Sequence, residues 1–162
     1  MDIRDAFITN LKTSAMVCRT YLDDLTDEEA MQRPHPKCNH INWQIGHLIA
    51  SENGMASACG GEIPALPEGF AEKYSKETGG SDSASDFVPK SELMKIAVAQ
   101  HEAVVKVVGG MSDEDFDKPG PESMRSYAPT MGALVNMMGS HWMMHAGQFV
   151  IVRRQLGRDI AI

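Results

Sequence analysis

Two histidines four residues apart, in His141-Trp142-Met143-Met144-His145-Ala146-Gly147-Gln148, are the residues of this chain best spaced for chemistry. On a helix, positions i and i+4 share one face with Cβ atoms roughly 6 Å apart, so both imidazoles can converge on one metal ion. A divalent ion needs a third donor. The best is His47, in the apolar, helically patterned segment Trp43-Gln44-Ile45-Gly46-His47-Leu48-Ile49. Three neutral imidazoles leave an open position for water or substrate, as catalytic sites do and structural ones do not. Imidazole suits Zn2+ and Ni2+, so one such ion per chain is expected. Trp43 and Trp142 neighbour the proposed ligands and could wall a substrate pocket, although aromatics at helical spacing equally serve as core. Gln148, one turn beyond His145, could reach the site or bond to a neighbouring helix. Glu52 and Glu102 could accept from a ligand imidazole, His40 could stand in as a ligand, and His35 and His101 are given surface or capping roles.

Two other metal chemistries are excluded by spacing. A ferritin-like di-iron bundle requires Glu-x-x-His pairs, but the residues three before the histidines are Gln32, Lys37, Gln44, Val98, Met138 and Trp142. A zincin protease requires His-Glu-x-x-His with Glu as general base, and Trp142 occupies that position. The methionines of the segment, Met131, Met137, Met138, Met143 and Met144, read as adaptable core filling.

At 162 residues the chain fits one domain, 1–162, large enough to bury a core without disulfides. A formal charge of −7 disfavours nucleic acid, whose binding is built from clustered Lys and Arg. Arg153, Arg154 and Arg158 instead close the last helix, where cations favour the helix dipole. Cys18, Cys38 and Cys59 are odd in number, without close spacing, and follow no cleavable leader, so a cytoplasmic protein without a disulfide framework is expected. No apolar run approaches the ~18 residues needed to span a bilayer.

The elements that would position the histidines are helical. Ile3, Phe7, Leu11, Ala15, Cys18, Leu22 and Leu25 recur at three-to-four spacing and predict a first helix over 2–25. Thr26-Asp27-Glu28-Glu29 reads as a capping box opening a short turn that Pro34 and Pro36 stop. A second helix is predicted from Asn42, as cap, to Cys59, with Gly60-Gly61 ending it. Residues 60–90, rich in Gly, Pro, Ser and Asp, form a long connection, and a loop of this length is explained by a crossing of the bundle, pinned by Phe70 and Tyr74. A third helix follows from about Ser91 to Gly109-Gly110, and a fourth from Pro129-Thr130, with Leu134, Met138, His141, His145, Phe149, Val152 and Leu156 on its inward stripe. Leu25-Thr26-Asp27-Glu28-Glu29 and Met111-Ser112-Asp113-Glu114-Asp115 form a faint repeat, each after one helix and before a histidine-bearing one. The expected fold is all-α, a four-helix bundle of up-down-down-up topology with a long helix 2 to helix 3 crossover.

Gly46-His47-Leu48 together with His141-x-x-x-His145-x-Gly147-Gln148 resembles the DinB-like superfamily of metalloenzymes, and the resemblance covers nearly the whole chain. It implies the same bundle, a divalent-metal triad of His47, His141 and His145, and in many members a homodimer. It also implies kinship with S-transferases and isomerases that use bacillithiol or mycothiol. The sequence shows no base beside the triad, and a thiolate attacking an electrophilic carbon needs less proton shuttling than hydrolysis. A thiol S-transferase acting on a small molecule is therefore ranked above a metal-dependent hydrolase, and both above a non-catalytic stress or ligand-binding protein.

Overall fold

The computed structural model describes residues 2–160 and 162. Among them are six α-helices: α1 (Ile3–Leu22), α2 (Ile41–Ala58), α3 (Phe70–Lys73), α4 (Lys90–Gly110), α5 (Asp113–Asp117) and α6 (Met131–Gln155). The long helices α1, α2, α4 and α6 form the bundle. Asp2 and Asp5 close a reciprocal capping box that starts α1, one residue inside the predicted start. Its end comes at Leu22 rather than at 25, and Lys90 lies against the turn that follows. The Lys90 ammonium, on a buried residue, donates to the carbonyls of Leu25 (2.8 Å) and Asp23 (3.2 Å), which the helix end leaves without partners.

The direction of each helix follows from its cross-links. Asn10 donates to the Asn136 carbonyl (3.2 Å) near the starts of α1 and α6, and Arg153 donates to the Tyr21 carbonyl (3.0 Å) near their ends, so these two run parallel. Asn42 donates to the Val88 carbonyl just before α4 begins, and Asn53 to Gln100 further along, so α2 and α4 are also parallel. Gln44–Gln148 and Glu52–Trp142 bonds run in opposite order along α2 and α6, which are antiparallel. The topology is up-down-down-up, and the four bundle seams are α1/α6, α6/α2, α2/α4 and α4/α1.

Residues 59–89 make the crossover that this topology demands. Two short pieces of helix interrupt it where no regular structure was expected: α3, and a single 3₁₀ turn at Ala84–Asp86. Phe70 and Tyr74 are buried as expected. Tyr74 also accepts from the Val88 N–H (3.0 Å), and its ring lies flat against the backbone of α2. A Cβ built on Gly46 would stand 2.2 Å from that ring, so only glycine permits this approach. Arg33 ties the same connection to the turn after α1, donating to the carbonyls of Cys38, Gly79 and Ser81 and to the Asp82 carboxylate.

Both copies of the faint repeat form reciprocal capping boxes, Thr26 with Glu29 and Ser112 with Asp115. The first leads only to a 3₁₀ turn (Glu29–Met31) and the second to α5. The basic residues at the end of α6 do more than cap it. Arg153 is buried and pairs with Asp24, and Arg158 pairs with Asp24 and Glu29, tying the chain's last turn to the end of α1. Leu134, Met138, Phe149 and Val152 of α6 are fully buried, as the stripe predicts. Met143 and Met144 are not core filling; they are exposed on the outer face of α6.

Candidate metal centre

The α2/α6 seam brings His47, His141 and His145 together, with one ligand nitrogen of each within 4.8 Å of the others. Ring centroids lie 5.2 Å apart for His47–His141, 5.8 Å for His47–His145 and 5.1 Å for His141–His145. Ligand atoms ~2.0–2.1 Å from a common ion sit about 3.4 Å apart, so the side chains need converge by at most about an ångström and a half. Among the described residues, no Asp, Glu or Cys joins the cluster.

The environment holds these imidazoles in the form a metal needs. Burial lowers the pKa of His141 to about 4, with the nearby His47 adding to the shift, and lowers His145 to about 4, with His141 and His47 adding to it. Burial also lowers His47. Desolvation disfavours the imidazolium, so each ring presents a lone pair at neutral pH. The orientation of His145 is set by a chain of hydrogen bonds. The Gln44 amide nitrogen donates to the Asn39 carbonyl (2.7 Å) and to Gln148 Oε1 (3.1 Å), which leaves Gln44 Oε1 to accept from His145 Nδ1 (2.8 Å). That bond puts the proton on Nδ1 and frees Nε2, the usual way in which a neighbouring acceptor fixes a metal-ligating tautomer. His47 is held differently. Trp43 stacks on it at 5.0 Å and 9°, and the Trp43 indole donates to Thr78 Oγ1 (3.0 Å) in the crossover.

The chemistry of this donor set fits a divalent cation: three neutral nitrogens, one with an ordered acceptor behind it and one clamped by an aromatic face. Residues 10–149 match the DinB superfamily. The chain belongs to that superfamily. Its fold is similar to a conserved Enterococcus faecalis protein of known crystal structure, at 15% identity and TM-score 0.71, over 98% of this chain and 99% of that one. It is also similar to YfiT from Bacillus subtilis, at 14% identity and TM-score 0.62, over 96% of this chain and 89% of that one. YfiT is described as a probable metal-dependent hydrolase with an unusual four-helix bundle topology. No curated protein matches the chain.

Other residues singled out in the sequence have different places. Gln148 reaches the site only through Gln44. Trp142 points its indole away from the histidines, to the Glu52 carboxylate (3.1 Å). Glu52 therefore orients an indole rather than an imidazole, and it accepts from Gln100 as well (2.8 Å). His40 is no substitute ligand: it is buried at the start of α2, where its Nδ1 accepts from the Trp43 N–H (3.0 Å) and caps the helix in place of Asn42. Asn42 instead spends its amide on Val88. His35 is exposed and accepts from the Lys37 N–H, while His101 and Glu102 face the α1/α4 side of the bundle. Gln44 and Thr78 escaped the sequence reading. Gln44 lies one turn before His47, a spacing that could have marked it, whereas nothing local links Thr78 to α2.

Proposed function

We propose that this chain is a metal-dependent enzyme for a small-molecule substrate, that His47, His141 and His145 hold one divalent ion, Zn2+ or Ni2+, and that it is a thiol S-transferase. The observation that carries the reading is a desolvated triad in which His145 bonds to a neutral amide, with no Asp, Glu or Cys joining the cluster among the described residues. A bound divalent ion would supply a +2 charge that favours the anionic form of a thiol or of water. The chain's own residues supply the rest. Trp43 and the half-buried histidines make a mouth that limits bulk water, and Gln44 keeps His145 from taking up the proton that a thiol releases, since its Nδ1 is already protonated and its Nε2 is the ligand atom. That proton leaves to solvent. Sulfur forms its bond to an electrophilic carbon as a leaving group departs with the bonding pair, or as an epoxide C–O bond breaks and the alkoxide takes a proton back from solvent, so no side chain need shuttle a proton.

A second reading, a metal-dependent hydrolase, draws on the likeness to YfiT. One screen separates the two: metal-loaded protein with low-molecular-weight thiols of the bacillithiol or mycothiol kind and electrophilic aromatics or epoxides, in parallel with activated esters and amides. Thiol consumption that requires the metal and is lost in His47→Ala, with helix content intact, supports the transferase. Ester or amide cleavage with the same dependence, and no thiol consumption, supports the hydrolase. Absence of turnover in both arms leaves a binding protein.

A homodimer and a cytoplasmic location belong to the same proposal. Met144 and Ile151, one α6 heptad apart and both exposed, give an apolar strip for a second copy, and light scattering at high micromolar concentration tests it, a monomer rejecting it. Cys18, Cys38 and Cys59 are free thiols, as a reducing compartment allows. Among the described residues, no helix is long and apolar enough to cross a membrane.

A further inference from the structure

The α1/α4 seam, diagonally across the bundle from the histidines, holds a cavity of about 400 Å³, within the size range of small-molecule pockets. Its floor is made by Glu52, Trp142 and Cys18, and its walls by aliphatic side chains including Ala15, Ala97 and Val98. Glu52 is 1% exposed. Each of its oxygens accepts one neutral N–H, from Trp142 and from Gln100, and none of the ion pairs formed among the described residues includes it. A carboxylate oxygen has capacity for a second donor. A buried charge of this kind is normally paired. The cations of the rim do not serve: Arg19 is engaged by Asp23 (3.6 Å), and Lys12 is exposed. With Asp23 and Glu102 beside Lys12 and Arg19, the formal charges of the rim cancel, and Glu52 remains the unbalanced charge of the cavity.

We propose that this cavity binds a small organic cation, an amidinium, guanidinium or ammonium group on a flat apolar body, with the cation on Glu52 and the body against Trp142. The geometry offers what such a ligand needs: a buried carboxylate without an ion-pair partner at the bottom, an indole beside it, and apolar walls above. Burial pushes the Glu52 carboxyl up to about 7, the cost that a cationic ligand would offset. The site is distinct from the metal site: Glu52 and Trp142 stand on the histidine-bearing helices α2 and α6 but line the α1/α4 cavity, and neither belongs to the histidine cluster.

Benzamidine and benzamide are a matched pair of nearly equal shape that differ in charge, and calorimetry of metal-loaded protein at pH 8 with each tests the proposal. Benzamidine should bind about tenfold or more tightly than benzamide, the scale of a charge-assisted bidentate hydrogen bond. Glu52→Gln should erase that preference while keeping benzamide affinity. Ala97→Phe, which fills the cavity from α4, should abolish binding of both while helix content is retained. The His141→Ala, His145→Ala double variant should bind benzamidine as wild type does, so failure of the metal reading would not disturb this one. Equal binding of the pair, a preference that survives Glu52→Gln, loss of binding in the histidine variant, or no binding at millimolar benzamidine would overturn it.

Discussion

The two opposite seams of this bundle bury titratable groups by the same physics and with opposite consequences. On α2/α6, desolvation strips protons from His47, His141 and His145, and the neutral imidazole is the form that ligates. On α1/α4, desolvation drives a proton onto Glu52, and the neutral acid is the form that binds nothing charged. Burial thus prepares one seam for its ligand, whereas on the other it raises a cost that a rise in pH exposes and a cationic ligand would offset. One of the histidines, His145, is also backed by an ordered acceptor, Gln44, while Glu52 is backed only by neutral donors, of which Gln100 is shared with the Ile49 carbonyl.

The largest effect should come from removing the first seam's ligands. In the His141→Ala, His145→Ala double variant, metal content after reloading should fall from about one ion per chain, the number expected of a three-imidazole site, to background by elemental analysis. Ligand-level binding that survives would remove the contrast between the seams.

Next is the pH dependence written into Glu52. Its carboxyl titrates near the ordinary 4.5 when unfolded and at about 7 when folded. The folded state therefore holds its full advantage from this group below about 4.5 and loses it as pH rises through 7, a swing of about 3 kcal/mol. Thermal melts of wild type against Glu52→Gln should diverge between pH 5 and pH 8, the wild type losing ground; parallel curves would mean that the carboxyl is not buried as described.

A smaller loss, about 1–3 kcal/mol, is expected of Gly46→Ala, because the added Cβ must push the Tyr74 ring off α2. Denaturant titration measures it, and a neutral result would show that the crossover does not brace the histidine seam. Of similar size is the effect of Gln44→Ala. Without the acceptor on His145 Nδ1, metal affinity should weaken about 10–100-fold with stoichiometry kept, read by competition with a chromogenic chelator. Unchanged affinity would leave the histidine seam no better ordered than the Glu52 seam.

Much of the histidine seam was legible because its information is periodic. His141 and His145 sit four apart on a helix, a spacing that fixes their shared face whatever surrounds them, and the buried stripe of Leu134, Met138, Phe149 and Val152 says which way that face turns. Capping boxes at Thr26–Glu29 and Ser112–Asp115 were legible for the same reason, since both partners lie within one turn. Caps that depend on competition were not. Asn42 and His40 could each have started α2, and the choice fell to His40 because Asn42 has a better partner in Val88, forty-six residues away.

The sequence by itself determined the four long helices, their apolar faces and the i, i+4 pair, all consequences of helical geometry acting over a few residues. Only the tertiary structure decided which polar groups share a seam. It gave His145 to Gln44 rather than to a glutamate, turned the Trp142 indole to Glu52, set Thr78 behind Trp43, and left Glu52 buried without a cation. Each of these outcomes depends on the rotation of one packed helix against another. Packing of the whole apolar core sets that rotation, and no local spacing encodes it.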